Sequence, residues 1–467
     1  MGTNTTTCEI SPDELASLAA FFDRPGPRYT SYPTAVQFSD SFKGRDYFDH
    51  LRRAAGRLGE PLAIYVHLPF CERRCTYCAC EVIPTRKRHV VDEYLAHLQM
   101  EIRLVAGVLG ERNGVRVLHL GGGTPTFLRP ADLEKLFNVL RTRFRFVEDC
   151  EISVELDPRV TTAEHIQTLK ALGANRVSLG VQDIDPAVQE AIGRFQSEED
   201  TVRTYQACRG AGFRGVNLDL IYGLPGQTRE SMAATVDRVI GLKPDRIAIY
   251  GFAYVPWMRR NQKPIDPESL PRAPDRLLLF STACRRFSQA GYLPIGMDHF
   301  ALPDDELSLA FREGRLGRNF MGYTPHAALD QIGLGISSIG SLAGAYVQNE
   351  KKLASYYRLL QSGSLAVERG IRLSHDDLIR RWVIQEVLCQ FHVDFQAFED
   401  QTGLPFELYF RAERPELLAL AEGGFLELGA DGLTVTSLGR YFLRNVAMIF
   451  DRYNRDRAAA QRFSRTV

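Results

Sequence analysis

Six short apolar runs, rich in β-branched residues, recur through the first half of the chain. They are 62–69 (LAIYVHLP), 115–123 (VRVLHLGGG), 151–158 (EISVELDP), 176–183 (RVSLGVQD), 216–225 (VNLDLIYGLP) and 245–253 (DRIAIYGFA). Runs this apolar suit strands buried on both faces. Between them lie stretches with helical periodicity, such as 92–109 (DEYLAHLQMEIRLVAGVL) and 130–144 (PADLEKLFNVLRTRF), the second with Pro130 as its first helical residue. Strand and helix alternating six times predicts an α/β fold of parallel strands joined by right-handed crossovers. Six units fall short of a closed eight-unit barrel. The expectation is a partial (β/α)6 barrel with its chemistry at the carboxyl ends of the strands.

The pattern changes near residue 350. Segments 376–391 (DDLIRRWVIQEVLCQF) and 415–450 read as helices, then a hairpin turning at GADG, then a further helix, a mostly helical, winged-helix-like order. The expected division is an N-terminal covering segment (1–60), a partial barrel with an extension (61–345) and a C-terminal helical domain (346–467) packed over the barrel mouth.

Charge removes several function classes. The 467 residues carry 57 basic and 57 acidic side chains, with no long block of one sign, so no footprint for nucleic acid or an anionic membrane is present. No apolar run reaches a membrane span, and the first residues lack a basic segment followed by an apolar core. A cytoplasmic enzyme of small-molecule chemistry is expected, most simply a monomer.

Four of the nine cysteines fall within ten positions, 71–80 (CERRCTYCAC). In a reducing compartment such a cluster is a metal or redox site rather than a disulfide framework. Zinc usually takes two separated pairs of ligands, and no second pair exists here. Cys71, Cys75 and Cys78, spaced C-x3-C-x2-C, can turn three thiolates to one point and leave an iron–sulfur cube with one open iron; zinc or a simple redox pair is the alternative. Cys80 fits a resolving thiol or a buried small residue better than a fourth ligand. Cys8, Cys150, Cys208, Cys284 and Cys389 are scattered and read as ordinary thiols.

The C-x3-C-x2-C spacing, with Tyr77 before its last cysteine, resembles the radical SAM superfamily, whose open iron chelates S-adenosylmethionine and cleaves it to a 5'-deoxyadenosyl radical. Polar residues and glycines also collect at the strand ends: Tyr65 and His67, Gly121 to Thr124, Glu155 and Asp157, Gln182 and Asp183, Asp219, then Ala253 and Tyr254. GGGTPT does not match a dinucleotide fingerprint. Its glycines let backbone pass close to a ligand, or they make a tight turn.

Longer stretches carry a closer likeness: GPRYTSYPTA (26–35), YVHLPFC (65–71), GGGTPT (121–126), EISVELDPR (151–159), GVQD (180–183), NLDLIYGLP (217–225), IGMDHFA (295–301) and GLGISSI (333–339). Over nearly its whole length the chain resembles the oxygen-independent coproporphyrinogen III oxidases of haem biosynthesis. The resemblance implies a [4Fe-4S] cluster on Cys71, Cys75 and Cys78 and two molecules of S-adenosylmethionine. Tyr65, Gly122, Glu155 and Ile339 would hold the first; Tyr77, Gly123, Thr124, Gln182, Arg194, Asp219 and Ala253 would hold the second. The implied reaction turns two propionates of coproporphyrinogen III into vinyl groups, fed by an electron donor such as a flavodoxin-type reductant. Four substrate carboxylates call for planar, bidentate partners. Arg28, with Tyr29 and Tyr32, is the candidate substrate-covering segment; a Pro-rich lead-in packed on the barrel is the plain alternative.

Two departures bear on the substrate. The family pattern has CGCN and NFQGY where this chain has CACEV (78–82) and NFMGY (319–323). The Met321 thioether cannot replace an amide's hydrogen bonds, and Glu81 is a further change. These departures keep open a related radical methylase or cyclopropanase, and a haem-trafficking relative forms a third class. Cys80 and the GPRYTSYPTA segment favour the oxidase.

Overall fold

The computed structural model describes residues 11–327, 329–455 and 463–467. All six expected strands form: β1 (Leu62–Leu68), β2 (Gly114–Gly122), β3 (Arg145–Leu156), β4 (Arg176–Gln182), β5 (Gly215–Tyr222) and β6 (Arg246–Gly251). Each pairs in parallel with the next, in chain order. Parallel neighbours need crossovers, supplied by α1 (Arg88–Leu109), α2 (Pro130–Arg143), α3 (Ala163–Ala171), α4 (Glu198–Gly210) and α5 (Arg229–Leu242). Pro130 stands at the first turn of α2 as the pattern predicts. The strands bury Ile64, Val66, Leu118, Leu120, Val154, Leu179, Leu218 and Ile249 almost completely, each worth roughly 1.5–3 kcal/mol of transfer free energy.

The sheet is wider than the six-run pattern. Asp330–Leu334 adds a seventh parallel strand on the outer edge of β1, and Ile339–Leu342, Ala345–Asn349 and Val367–Arg372 extend it antiparallel. At the other edge His299–Ala301 and Leu293–Ile295 continue antiparallel from β6, giving twelve strands among the described residues. Strand β3 also begins six residues before its apolar run. A register irregularity between Val115 and Val117 lets polar Arg145 and Phe146 pair with the start of β2.

Low on the inner face, at the amino ends of the strands, charges are matched within the chain. Arg176 contacts Glu151 at 3.2 Å, Asp305 at 3.5 Å and Glu306 at 2.7 Å; Arg246 contacts Asp305 at 2.7 Å and Arg214 contacts Glu306 at 3.0 Å.

The C-terminal part has its own core, built on Val383, Phe398, Phe410, Val446 and Phe450. Helix α6 (His375–Cys389) leads into helices and a three-stranded antiparallel sheet of His392–Asp394, Gly432–Val435 and Leu426–Leu428. The expected hairpin at GADG is closed by Gly429 N donating to Gly432 O at 2.9 Å. The third strand was not predicted. At the other end of the chain, Pro12–Phe22 is a helix capped by Ser11. The segment after it is stitched to residues 464–466, with Gly26 N donating to Ser464 O at 3.0 Å and Thr466 N to Arg24 O at 2.8 Å.

Candidate active site

The cysteine loop follows β1 and is closed at its base, where Ile83 N donates to Pro69 O at 2.7 Å and Thr85 N to Cys71 O at 3.0 Å. Its shape is imposed from a distant segment. The Asn261 side-chain amide serves the carbonyls of Cys75 (3.1 Å), Thr76 (3.0 Å) and Cys78 (2.9 Å), while Gln262 Nε2 donates to Tyr77 O at 3.0 Å. A loop of thiols has little apolar surface to hold it, so amide hydrogen bonds to its carbonyls do so instead.

Cys71, Cys75 and Cys78 all border one cavity of about 390 Å3 at the carboxyl rim of the strands. Burial pushes the Cys71 thiol up to about 11, and Cys71 Sγ lies 3.4 Å from Thr124 Oγ1. Cys78 is drawn down to about 6, first by a hydrogen bond from the Cys80 side chain, with Arg74 and Arg259 adding positive charge nearby. Cys80 thus touches Cys78 and borders the same cavity. Arg159 Nη2 lies 3.8 Å from Cys75 Sγ and 2.6 Å from Asp157 Oδ2. Among the described residues no three His, Cys, Asp or Glu side chains converge closely enough for a single metal ion. Three thiols around a wide opening suit a polynuclear cluster better than mononuclear zinc.

The rim residues expected from the strand ends meet here. Gly122, Gly123, Thr124, Glu155, Gln182, Arg194, Asp219, Ala253 and Tyr77 all line the cavity, and so does Arg28. Burial alone would raise the Glu155 carboxyl, but His119 Nε2 at 3.2 Å and the Gly122 amide at 3.0 Å hold it below its ordinary range. Burial raises Asp219, which accepts from Ser178 Oγ at 2.6 Å and Asn217 Nδ2 at 2.7 Å. Arg194 is 5% exposed and donates to Gly180 O at 2.7 Å. Gln182 closes β4 with φ +70°. Such a left-handed backbone is unusual for a residue other than glycine and gathers at functional sites.

The glycine run has a cause within the protein itself. A Cβ on Gly123 would stand 2.6 Å from the Pro69 carbonyl carbon, one on Gly121 2.7 Å from the Glu155 carboxylate, and Gly122 has φ +111°. The end of β2 therefore needs glycine to pass the end of β1 and the Glu155 side chain, whatever it also presents to the cavity.

Four predicted residues do not line this cavity. Tyr65 hydrogen-bonds through its hydroxyl to His67 Nδ1 at 2.9 Å and stacks on His119 inside the barrel. Ile339 starts the antiparallel extension beside Gly333, its carbonyl accepting from Gln331 at 3.0 Å. Tyr29 and Tyr32 correct the covering-segment expectation, because both turn into the C-terminal core. Tyr29 donates to Asp451 at 2.9 Å, and the Tyr32 hydroxyl accepts from Arg452 N at 3.3 Å. Only Arg28 of that trio reaches the cavity, its guanidinium donating to Gly251 O. Cys8 lies outside the described residues, while Cys150, Cys208, Cys284 and Cys389 are buried.

Met321 borders a second, smaller chamber of about 140 Å3 under the rim, together with His119, Asn319 and Tyr323. The two chambers share Glu155, Ser178, Asp219 and Tyr250. Glu81 pairs with Arg259 and, through its carbonyl, with His67 Nε2 at 2.9 Å. Of the two departures from the family pattern, Glu81 therefore has local partners, while Met321 borders the smaller chamber. Sequence reasoning missed Arg159, Asn261 and Gln262; of these, Arg159 closes the EISVELDPR stretch and carried a usable signal.

The radical SAM superfamily model matches residues 65–239 and the HemN C-terminal domain model residues 373–442. The oxygen-independent coproporphyrinogen III oxidase of Salmonella typhimurium is 44% identical over 446 residues, covering 96% of this chain and 97% of that protein. That of Pseudomonas aeruginosa is 43% identical, covering 97% and 98%. This chain belongs to the oxygen-independent coproporphyrinogen III oxidase family. A solved coproporphyrinogen III oxidase from Escherichia coli, described as a radical SAM enzyme, superposes with a TM-score of 0.87 at 42% identity over 91% of this chain and 97% of that one. Membership of the oxidase family implies a [4Fe-4S] cluster and S-adenosylmethionine, and three thiols on one cavity are a donor set that fits them. The radical methylase, cyclopropanase and haem-trafficking readings draw no support from these matches. No helix among the described residues is long and apolar enough to cross a membrane.

Proposed function

We propose that the chain carries out the oxidase reaction of its family, the anaerobic conversion of two propionates of coproporphyrinogen III to vinyl groups. The carrying observation is the convergence of Cys71, Cys75 and Cys78 with Glu155, Arg194 and Asp219 on a single rim cavity. Each propionate loses a hydrogen atom from its β-carbon, then carbon dioxide and one electron, which leaves the vinyl group; a one-electron acceptor takes the electron. When bound, the cluster and S-adenosylmethionine supply the one-electron chemistry that breaks a C–H bond too strong for acid or base.

The protein's part is placement. Cys71, Cys75 and Cys78 would ligate the cluster, on a loop whose carbonyls Asn261 and Gln262 already hold. Gly122 and Glu155, with Tyr65 and Ile339 on the adjoining strands, are the proposed contacts of a first S-adenosylmethionine. An ionised Glu155 suits an ammonium group. Tyr77, Gly123, Thr124, Gln182, Arg194, Asp219 and Ala253 would take a second, supported by their common lining of one cavity. Arg28 is the proposed substrate contact.

The reductant reads as an acidic one-electron carrier of flavodoxin type. Arg73, Arg86, Lys87, Arg260 and Lys263 are exposed on the two segments around the cysteine loop, beside Trp257, which is 60% exposed. We read the protein as a cytoplasmic monomer.

The test is anaerobic turnover of cluster-reconstituted protein with S-adenosylmethionine, a reductant, coproporphyrinogen III and cell extract as electron acceptor, products being followed by mass. Loss of two carboxyl groups with formation of 5'-deoxyadenosine is expected. Deoxyadenosine without decarboxylation would overturn the oxidase reading. Equilibrium dialysis should count two S-adenosylmethionine molecules per chain; a count of one removes the second site.

A further inference from the structure

Arginine drawn even partly out of water usually finds an acidic partner. A small cavity of about 50 Å3 next to the main one gathers four: Arg28, Arg276, Arg440 and Arg444. They come from far apart in the chain, Arg276 from the helix Ala273–Gln289 and the last pair from Ser437–Arg440 and Leu443–Ile449. Their hydrogen bonds go to neutral carbonyls. Arg28 donates to Gly251 O, Arg276 Nη2 to Phe252 O at 2.9 Å, and Arg444 to Gly26 O, to Pro27 O at 3.1 Å and to Arg465 O at 3.1 Å. The Nε atoms of Arg276 and Arg440 are buried with no hydrogen-bond partner.

Among the described residues, Asp298 is the acid lining this cavity, and it is already engaged by His299 Nδ1 at 2.6 Å and Arg318 at 3.4 Å. Positive charge therefore accumulates. Burial, then the neighbouring Arg28, pull Arg444 down to about 9. Burial also lowers Arg276 and Arg440. Arg28 and Gly251 border both cavities, so the small one is a side pocket of the large one. Its volume holds about three or four waters, the size of a carboxylate with one methylene and far less than a ring system.

We propose that Arg28, Arg276, Arg440 and Arg444 form a carboxylate subsite that takes one propionate arm of the substrate while its ring lies in the main cavity. The subsite rests on the oxidase reading and adds three residues to it. Planar guanidinium groups around a pocket of this size recognise a carboxylate by paired hydrogen bonds as well as by charge.

The experiment uses anaerobic, cluster-loaded protein titrated with coproporphyrin III, the stable fluorescent porphyrin with the same four carboxylates, and with its tetramethyl ester. Arg276→Gln and Arg440→Gln are each expected to weaken coproporphyrin III binding about tenfold or more, and Arg440→Lys to recover part of the loss. The ester should bind wild type and variants alike, which also shows that the variants are folded. Equal coproporphyrin III affinity in wild type and both Gln variants overturns the subsite and leaves the oxidase reading standing. A wild type that binds neither porphyrin and does not decarboxylate coproporphyrinogen III overturns both.

Discussion

Two groups of arginines lie at opposite ends of the barrel strands and meet different partners. At the amino ends of the strands, Arg176, Arg214 and Arg246 meet Glu151, Asp305 and Glu306, three cations against three carboxylates. Beside the carboxyl ends, Arg28, Arg276 and Arg444 meet carbonyl oxygens and Arg440 lies over the Phe391 ring, all four bordering one small cavity. The lower group completes its charge within the chain and so stabilises the fold. The upper group can complete it only with something brought from outside. The same division holds for the other polar residues: those under the rim are tied to each other, while the thiols of Cys71, Cys75 and Cys78 face a cavity.

The sharpest test sets a rim residue against the fold. Cys75→Ser should lower turnover by on the order of a thousandfold, roughly 4 kcal/mol of transition-state stabilisation, with loss of the iron–sulfur absorbance. The urea midpoints of the cluster-free wild type and variant should coincide. A full absorbance spectrum in the variant would contradict the ligand role. Arg176→Met should do the reverse, removing about 3–5 kcal/mol of stability because three carboxylates lose their central partner. Urea denaturation reads this, and an unchanged midpoint would break the contrast between the two regions.

A smaller effect concerns a half-buried carboxyl. Burial pushes Glu386, on α6, up to about 7. Its folded-state value lies above the unfolded one, so the carboxyl is protonated in the fold and ionised in the unfolded chain between about pH 4.5 and 7. Stability present below that window falls as pH rises through it. Glu386→Gln should therefore raise Tm by about 1–3 °C at pH 8 and leave it unchanged near pH 4, below the window. An equal gain at both values would rule out titration as the cause.

The legible parts of this molecule are those whose signal is local. Strands β1 to β6 announce themselves by runs of buried residues, and the cysteine loop by four thiols within ten positions. The added strands were hidden because Asp330–Leu334 and Ile339–Leu342 lie in a glycine-rich stretch too short to show a period. Tyr29 and Tyr32 were misplaced for a different reason. Sequence shows that an aromatic residue will be buried but not against which core, and here the C-terminal core takes both. Glu155, Gln182 and Asp219 could be found because parallel strands put their ends on one rim. Asn261 and the arginine pocket could not, since each draws on remote segments: Asn261 reaches back 183 positions to Cys78 O and Arg444 418 positions to Gly26 O.

The stitching of residues 24–28 to residues 444–466 also sets an order of events during synthesis. The cysteine loop leaves the ribosome early, but its Asn261 brace follows about two hundred residues later. Arg440 and Arg444 come later still. At the usual pace of translation, roughly 5–20 residues per second, about twenty seconds or more separate Arg28 from Arg440 and Arg444. Throughout that interval the nascent chain can begin to gather its cysteine thiols while the arginine wall beside them is still unmade.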